Sequence, residues 1–306
     1  MKCPVFFLII LICLVASSIP AENGYLLTTG AMKGEDLGGN LVKVVSGNYH
    51  NIALRSNGSL VAWGKNESGQ CLVPAGNDYI DIAAGYNTSL ALRSDGTIIP
   101  WGFYSYMPSG SNFTAISASY NYCLALRSDG TITAWTRDGL LTDTPTGNNF
   151  IAVSAGMLDM IALTSDGSIV VWGTTNPEYL NVPAGSDYVA ISAGGYHNLA
   201  QRADGSLVAW GSNNYGQCNV PAGNDFIAFY ACDKHNLAIR ANGSLVAWGS
   251  DYYWQCHVPA GNNYIGVSGG EGHSVALKSD GYVQMWGSNA WGQCNVPKGN
   301  NSVAIS

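Results

Sequence analysis

Short runs of alternating hydrophobic and polar residues recur along this chain, and each run follows a pair of turn residues. The run at 206–210, which reads Ser-Leu-Val-Ala-Trp, is typical, and Asp204 and Gly205 directly precede it. Runs of this length, rich in Val, Leu and Trp, predict β-strands. Asn-Gly and Asp-Gly pairs favour two-residue type I′ turns, because both positions tolerate a positive φ. The pattern therefore predicts a β-hairpin around each pair.

This hairpin recurs seven times. Its tryptophans are spaced by 38, 34, 37, 38, 38 and 38 residues, at Trp63, Trp101, Trp135, Trp172, Trp210, Trp248 and Trp286. In the fifth copy, a strand-like segment at 189–192 precedes the hairpin and another at 218–221 follows it. Four strands in about 38 residues make one blade of a β-propeller. We therefore predict an all-β, seven-bladed propeller of short four-stranded blades, with the repeated Trp packed between blades.

The first 21 residues follow a different pattern. Lys2 precedes an unbroken apolar run at 5–16, and small residues follow at 17–21, which is the anatomy of a secretory signal peptide. As a helix this run would reach roughly 18 Å, short of the ~30 Å that a membrane span needs. We predict a signal peptide at 1–21, an N-terminal linker at 22–40 and the propeller at 41–306. The protein is then secreted, extracellular or on the cell surface, with no membrane span.

The ends of the array leave two alternatives open. Copies of the first strand occur eight times, from 41–45 to 302–305, whereas the hairpin occurs seven times. Either one terminus completes a blade begun by the other and closes the ring, or the array is truncated within a repeat. Blade two differs from the rest because Pro100 directly precedes Trp101 and removes a ladder donor. We predict that its fourth strand is missing or irregular.

Composition and motifs limit the possible functions. Charged residues make up 11% of the chain, its formal net charge is −7, and its lysines and arginines do not cluster. Because nucleic-acid binding needs a basic patch, we expect no nucleic-acid partner. The sequence has no Gly-x-Ser-x-Gly, phosphate-loop or His-Glu-x-x-His motif. We predict no catalytic residue and no cofactor, with an enzyme such as a lyase as the minor alternative.

Cysteines and histidines occupy repeat positions. Four cysteines lie eight residues after a blade Trp, and four histidines lie thirteen residues before one: Cys71, Cys218, Cys256 and Cys294; His50, His197, His235 and His273. Equivalent positions in neighbouring blades do not converge on one metal ion, nor within the ~7 Å Cα separation of a disulfide. We predict six free cysteines in the mature chain, no metal site, and a hydrogen bond from each imidazole to a strand-end backbone group.

Three carboxylates form the one candidate acidic set. Asp159, Asp233 and Glu271 follow the first strand of blades four, six and seven. The preferred interpretation is a solvated loop face. Six Asn-x-Ser/Thr sequons could carry sugars in a suitable host: Asn57, Asn66, Asn87, Asn112, Asn242 and Asn300.

Aromatic residues mark the loops after the first and third strands, which share one face of an up-and-down blade. We call this the aromatic loop face. Its candidate binding residues are Tyr49, Tyr86, Tyr120, Tyr196, Tyr215, Tyr252, Tyr253, Trp254 and Trp291. Exposed Tyr and Trp are typical of protein-recognition surfaces, because rigid rings bury much area for little entropy. In the alternative interpretation, these rings plug the mouth of the propeller.

The repeated landmarks Ala-Gly-x-x-His, Leu-Ala-Leu, Asp-Gly, Trp-Gly and Gly-Gln resemble the regulator of chromosome condensation repeat family over residues 41–306. The Gly-Gln-x-x-Val-Pro-Ala ending is similar to that of short-blade secreted members, which include a β-lactamase inhibitory propeller. The resemblance implies binding of an extracellular protein, with enzyme inhibition as one version. A carbohydrate or cell-envelope ligand is the alternative. The family's nuclear member acts on a small GTPase, a partner we do not expect for an acidic, exported chain without an exchange wedge.

Overall fold

A computed structural model of the protein describes residues 27–28, 32–33, 41–103 and 106–296, the first two pairs by their backbone alone. The predicted signal peptide at 1–21 and the last strand copy at 302–305 lie outside these residues.

The described residues form 24 strands and one short helix. In chain order these are β1 (Leu27–Thr28), β2 (Met32–Lys33), β3 (Leu41–Ser46), β4 (His50–Arg55), β5 (Leu60–Gly64), β6 (Tyr79–Ala84), β7 (Thr88–Arg93), β8 (Ile98–Gly102), β9 (Phe113–Ala118), β10 (Cys123–Arg127), β11 (Ile132–Thr136), β12 (Gly139–Leu140), β13 (Phe150–Ala155), β14 (Met160–Thr164), β15 (Ile169–Trp172), α1 (Pro177–Leu180), β16 (Tyr188–Ala193), β17 (His197–Arg202), β18 (Leu207–Gly211), β19 (Phe226–Ala231), β20 (His235–Arg240), β21 (Leu245–Gly249), β22 (Tyr264–Gly269), β23 (His273–Lys278) and β24 (Val283–Gly287).

Seven sheets follow one another along the chain, and each is built on three antiparallel strands of one repeat. Blade one is β3–β4–β5, blade two β6–β7–β8, and the order continues to β22–β23–β24 in blade seven. Within each set of three the strand order equals the chain order, as in an up-and-down blade. The predicted seven-bladed β-propeller is confirmed.

The outer part of most blades differs from the predicted fourth strand. Five of the seven sheets have three strands, whereas β12 adds a fourth to blade three. In blade five the segment at 218–221 forms a turn and extended backbone, because the Asn213 side chain captures the N–H of Cys218 at 2.9 Å. An N–H group held within its own loop cannot extend the ladder beyond β18.

Blade two follows the same rule. Residues 106–112 form no strand, as predicted. Pro100 is not the reason, since blades one, four, five and six also lack a regular fourth strand. The proline lies within β8, the edge strand, where it stands opposite Leu90 of β7.

The hairpin turns contain three residues rather than two. In blade one, the N–H of Gly58 donates to Arg55 O and that of Arg55 to Ser59 O, both at 2.9 Å. Gly58 has a φ of +78°, while Trp254 is the one non-glycine residue with positive φ in the described part of the chain. Each loop is thus a type I turn followed by a left-handed glycine. The type I′ prediction is wrong because the Asn57 side chain accepts the Ser59 N–H at 3.0 Å, an Asx turn that keeps Asn57 at negative φ.

Hydrophobic cores lie between the blades, one at each junction. All seven cores combine residues of two neighbouring blades, and each contains one of the repeated tryptophans, none more than 9% exposed. A sheet that buries both faces against its neighbours needs those neighbours to be stable. The predicted packing of the Trp between blades is confirmed.

The ring is closed by a junction between blade seven and blade one. Leu41 and Trp63 share a core with Met285, and the Trp63 indole donates to Gln293 O at 3.0 Å. At the outer edge of blade seven, β1 pairs in parallel with β24, and β2 pairs with β1. Both short strands lie within the segment at 22–40 that the sequence predicts as a linker. The N-terminal segment thus adds two strands to the blade that ends the array.

First strands of the blades line a central channel of about 280 Å³. Lys43 and Asp81 form an ion pair on its wall. Several serines of these strands link the blades: Ser154 Oγ accepts the Ala193 N–H at 2.9 Å, and Ser192 Oγ accepts the Ala231 N–H at 3.0 Å. The loops that follow the first strands surround one mouth of this channel.

Candidate functional site

A buried chain of hydrogen bonds supports the aromatic loop face from below. At the junction of blades five and six, His197 Nε2 lies 2.5 Å from Asn236 Oδ1. The Asn236 amide donates to Gln217 O at 2.8 Å, and the Trp248 indole donates to the same carbonyl at 3.0 Å. A side chain of one blade, a side chain of the next and a loop carbonyl are therefore joined in one network.

The other histidines make equivalent contacts, His50 with Ser89, His235 with Ser274 and His273 with Asn51, at 3.0, 2.9 and 2.9 Å. The predicted bond to a strand-end backbone group is therefore wrong, because each imidazole crosses the junction to a side chain of the next blade. Burial lowers the pKa of His197 and His273 to about 4 and that of His50 and His235 to about 3. All four are neutral at pH 7.

A glutamine at each of four junctions connects this network to the surface. In blade five, Gln217 Oε1 accepts the N–H of Tyr215 at 2.8 Å. The same bond joins Gln70 to Ser68, Gln255 to Tyr253 and Gln293 to Trp291, at 2.9, 2.7 and 2.8 Å. All four glutamines are buried. Because the bond uses the backbone N–H of the tip residue, the side chain at the tip faces outward.

Four of the predicted site residues form the Lys65 cluster, together with Lys65 itself and Glu67. Tyr86 contacts the rings of both Tyr49 and Tyr120, with centroids 5.6 and 4.5 Å apart, and Tyr49 lies 6.2 Å from Trp291. Lys65 Nζ lies 4.5 Å from the Trp291 centroid, 5.5 Å from that of Tyr49 and 5.8 Å from that of Tyr86. Its carboxylate partner is Glu67, at 3.0 Å. The ammonium thus faces three rings and one carboxylate.

Two further predicted residues form the Lys234 cluster. Lys234 Nζ lies 5.4 Å from the Tyr196 centroid and 5.9 Å from that of Tyr215. Asp233 Oδ2 is 3.5 Å from the same ammonium. The arrangement of ring, ammonium and carboxylate therefore occurs twice on one face.

The remaining three residues, Tyr252, Tyr253 and Trp254, form the blade-six tip. They are 81%, 46% and 67% exposed. The ring of Tyr252 packs edge-on against that of Tyr253 at 4.8 Å, and Trp254 packs edge-on against His257 at 4.6 Å. Trp254 has a φ of +65°, in the left-handed region that L-residues other than glycine avoid.

The acidic set is not a solvated loop face. Asp159 is fully buried in the position that histidine occupies at other junctions, and its Oδ2 accepts the Asn198 amide at 2.6 Å. The Asp233 side chain is 8% exposed. Burial raises the pKa of both carboxyls to about 6. Glu271 is half-buried and accepts the Tyr49 hydroxyl, and burial together with this carboxylate raises the Tyr49 pKa.

Sequence reasoning missed the two lysines. Lys65 and Lys234 stand at unrelated positions of the repeat, so no periodic signal marks them. Four of the five rings come from a blade next to the lysine's own, so only the assembled propeller brings them beside the ammonium. The sequence does contain a signal for Lys234. This residue directly follows Asp233, and it stands at the loop position where blades one and five carry Tyr.

Other candidate chemistry gathers nowhere in the described residues. Among them, no three histidine, cysteine or acidic side chains are placed to hold a metal ion. The six cysteines described are free thiols, and four of them donate to a carbonyl of their own loop, as Cys218 does to Ser212 O at 3.3 Å. No helix in the described ranges is long and apolar enough to cross a membrane.

Comparison with known proteins identifies the repeat. A family model of the regulator of chromosome condensation (RCC1) repeat matches residues 41–70, 188–217 and 264–293. These are blades one, five and seven, each from its first strand to the glutamine described above. A search of curated proteins finds no match to this chain.

Solved structures share the fold. The ectodomain of the receptor kinase CR4 from Physcomitrella patens is 20% identical, over 82% of this chain and 74% of that one, with a TM-score of 0.69. Prp20p from Saccharomyces cerevisiae is 19% identical, over 77% and 82%, with a TM-score of 0.65. The ACR4 ectodomain from Arabidopsis thaliana is 18% identical, over 81% and 99%, with a TM-score of 0.63. Three of the seven blades therefore carry the RCC1 repeat, in a propeller that shares its fold with these structures.

Proposed function

We propose that this protein is an extracellular, non-enzymatic binding propeller that recognises a protein partner through its aromatic loop face. The observation that carries the proposal is the conformation of Trp254. Three other blades have glycine at this position, Gly69, Gly216 and Gly292, with φ values of +79°, +76° and +72°. A non-glycine residue there costs about 1–2 kcal/mol.

The strain at Trp254 is not offset by burial in a core. Its indole is 67% exposed and belongs to no core cluster described for the junctions. Strained residues that persist without a packing role mark functional positions. Tyr252 and Tyr253 extend the same exposed surface, and clustered exposed rings on a rigid support are typical of protein-binding sites.

The sequence supports a place outside the cell, because residues 1–21 have the pattern of a secretory signal peptide. Two of the similar folds are themselves ectodomains of receptor kinases. Inhibition of an extracellular enzyme is one concrete form of this function, by the resemblance to short-blade secreted members. It would place the aromatic loop face over the mouth of that enzyme's active site.

The double variant Tyr253→Ala/Trp254→Ala tests the proposal. Proteins captured from culture medium on the immobilised mature chain are identified, and the affinity of each purified candidate is measured for both forms. We expect the variant to weaken binding by ~2 kcal/mol or more, as for hot-spot residues. Its melting temperature stays nearly unchanged, because tip residues lie outside the junction cores.

Trp210→Ala is the matched control for folding. Its indole is 5% exposed within a junction core, and its removal should lower the free energy of unfolding by ~3–5 kcal/mol. If the double variant unfolded as Trp210→Ala does, the rings would be plugs of the propeller rather than contacts for a partner.

The exposed rings of Tyr252 and Trp254 favour one second candidate, a carbohydrate or cell-envelope ligand. Flat aromatic faces stack on sugar rings as they do on protein side chains. A glycan array separates the two. If a glycan binds saturably and Tyr252→Ala abolishes that binding, the ligand is a sugar rather than a protein.

A further inference from the structure

The central channel is wider away from the aromatic loop face than next to it. At the aromatic loop face, the loops after the first strands bond to one another, as where the Gly195 N–H donates to Cys232 O at 3.0 Å. The space among these loops is about 50 Å³, against about 280 Å³ in the channel. Toward the face that carries the hairpin turns, which we call the turn face, the channel reaches Thr164, Gly167 and Val189, the last 41% exposed. A ligand would therefore enter from the turn face.

Aliphatic residues line most of the channel. They come mainly from the first strands of the blades and include Val44, Ile82, Ile116, Val153, Ile191 and Val267. Small-molecule sites are concave, largely apolar and ~300–1,000 Å³ in volume, with a few polar groups that fix the ligand. The channel lies close to the lower limit of this range. It therefore suits a compact ligand with an apolar body.

One ammonium group reaches into this aliphatic channel. At the third position of the first strand, blades three to six carry alanine, whereas blades one and two carry Lys43 and Asp81. Burial raises the pKa of Tyr230 to about 12, and the charge of Lys43 opposes this rise. Tyr230 belongs to blade six and lines the channel, while Lys43 belongs to blade one. Because blade seven separates these two blades, the Lys43 charge acts across the channel.

The ammonium is the accessible part of the ion pair on the channel wall. Asp81 Oδ1 accepts the Lys43 ammonium and also the Ile82 N–H, the latter at 2.8 Å. The Lys43 side chain is 17% exposed, against 6% for that of Asp81. An ammonium has three donors, of which one bond to a carboxylate uses one. A ligand in the channel therefore meets the positive member of the pair first.

Three serines add hydroxyl donors to the wall. Ser117 Oγ accepts the Ala155 N–H at 3.0 Å, in the same way as Ser154 and Ser192 accept an N–H of the next blade. A hydroxyl whose oxygen accepts a bond still has its hydrogen to donate. All three serines line the channel. The polar groups that a ligand can reach are thus chiefly donors, and the ligand must supply acceptors.

We propose that the central channel binds a small aliphatic carboxylate, with its carboxylate beside Lys43 and its apolar chain against Val153 and Ile191. An ionised carboxylate only accepts hydrogen bonds, and its bond to an ammonium is stronger than a neutral one. The aliphatic wall takes up the chain of the ligand and removes it from water. This inference goes beyond the proposed function and does not depend on it, because the ligand enters at the turn face.

A titration with two small probes tests the proposal on the complete mature protein. Hexanoate and hexylammonium share a six-carbon chain and carry opposite charges at pH 7. Binding is followed by the methyl resonances of Val153 and Ile191, both on the channel wall. We expect saturable shifts with hexanoate, at an affinity about tenfold higher than that of hexylammonium.

Three variants locate the effect. Lys43→Ala/Asp81→Ala copies the alanine of blades three to six, and the two probes should then bind within about twofold of each other. Asp81→Asn retains an acceptor for the Ile82 N–H and removes the carboxylate that competes with the ligand. It should therefore bind hexanoate about fivefold tighter than the unchanged protein. Lys278→Ala, the matched control, removes a cation that lies beside the Tyr264 ring rather than on the channel wall, and should leave both affinities unchanged.

Each outcome decides for or against the carboxylate site. Hexylammonium binding as tight as that of hexanoate would overturn it, and so would a hexanoate preference that survives in Lys43→Ala/Asp81→Ala. Hexanoate that leaves the resonances of Val153 and Ile191 unshifted does not enter the channel, which also overturns the proposal. If the double variant failed to fold, Asp81→Asn would decide, since its affinity for hexanoate must rise. None of these results bears on the capture experiment with the aromatic loop face.

Discussion

On the aromatic loop face, backbone conformation determines which residue fits a position more than side-chain packing does. Gly69, Gly216 and Gly292 take the left-handed conformation that closes the loop after the third strand, and Trp254 takes it in blade six. The backbone bonds around Trp254 match those of the glycines, since its N–H donates to Asp251 O at 3.1 Å. The loop therefore folds alike with or without the indole.

Replacing Trp254 by glycine should stabilise the fold. Relief of the left-handed strain, less the extra flexibility of glycine in the unfolded chain, leaves a gain of about 1 kcal/mol. The melting temperature should rise by a few degrees, measured by calorimetry, while affinity for the partner falls. Gly292→Ala is the reciprocal control, with a loss of about 1 kcal/mol. A lower melting temperature for Trp254→Gly would show that the indole contributes to folding.

Thiol chemistry gives a second residue-scale prediction. Burial raises the pKa of Cys71, Cys256 and Cys294 to about 12 and that of Cys218 to about 11, so the reactive thiolate is scarce at neutral pH. In the mature chain we expect slow reaction with a disulfide reagent in the native state. After denaturation the reagent should count six groups. A count of four or two would reveal one or two bridges.

At the scale of the element, the junction between blades is the repeated unit of stability. Its polar part joins one blade's histidine, the next blade's Asn or Ser, a glutamine carbonyl and a Trp indole. Three junctions depart from this pattern. Between blades four and five, Asp159 stands in place of the histidine, and Tyr179 O accepts the Trp210 indole N–H at 2.9 Å. The other two leave an indole without a partner. In the described residues, the indole N–H groups of Trp135 and Trp172 are buried without a hydrogen-bond partner. Blades two and three lack the glutamine that would accept them.

Asn236 offers a graded test of the junction. Asn236→Ala leaves His197 and the Gln217 carbonyl each without the amide, and should lower the free energy of unfolding by about 2–4 kcal/mol. Asn236→Ser should lose about 1 kcal/mol or less, because Ser89 and Ser274 fill this position elsewhere. Chemical denaturation measures both. Equal losses for the two variants would mean that volume, not hydrogen bonding, governs the junction.

The repeat made the blades predictable, whereas contacts between blades were not. Turn glycines and buried tryptophans follow from spacing alone, as Trp210 and Gly205 show. The partners of His197 and the burial of Asp159 depend on which loop of the next blade lies opposite. The repeat spacing does not tell which residues of two blades come into contact. The prediction of a fourth strand was wrong for a local reason, since the Asn213 side chain accepts the Cys218 N–H.

For the whole molecule, the buried histidines couple the ring to pH. Their pKa values are about 3–4 in the folded protein and about 6.5 when unfolded. A base whose folded pKa is lowered contributes stability that is complete above pH 6.5 and is lost as the pH falls. Asp159 and Asp233 act oppositely, because their raised pKa values favour the folded state as the pH falls below 6. Because four imidazoles act against two carboxyls, the free energy of unfolding falls as the pH falls.

We therefore expect the free energy of unfolding to fall by roughly 3 kcal/mol per pH unit between pH 6 and 4. Thermal unfolding at a series of pH values measures this slope. His50→Thr, which copies Thr88 of blade two, should reduce the slope by about 1.4 kcal/mol per pH unit. An unchanged slope in that variant would mean that His50 does not titrate with a lowered pKa.

The glutamine described at four junctions separates the residues that maintain the fold from the residues that can contact a ligand. Its carbonyl holds the core tryptophan of the next blade, while its side-chain oxygen accepts a backbone N–H at the loop tip. A backbone bond is indifferent to the side chain it presents, and residues 68, 215, 253 and 291 already carry Ser, Tyr, Tyr and Trp. The side chains at these four positions can therefore change, in evolution or by design, without altering the hydrogen bonds of the scaffold. A library randomised there would sample new ligands on one unchanged ring.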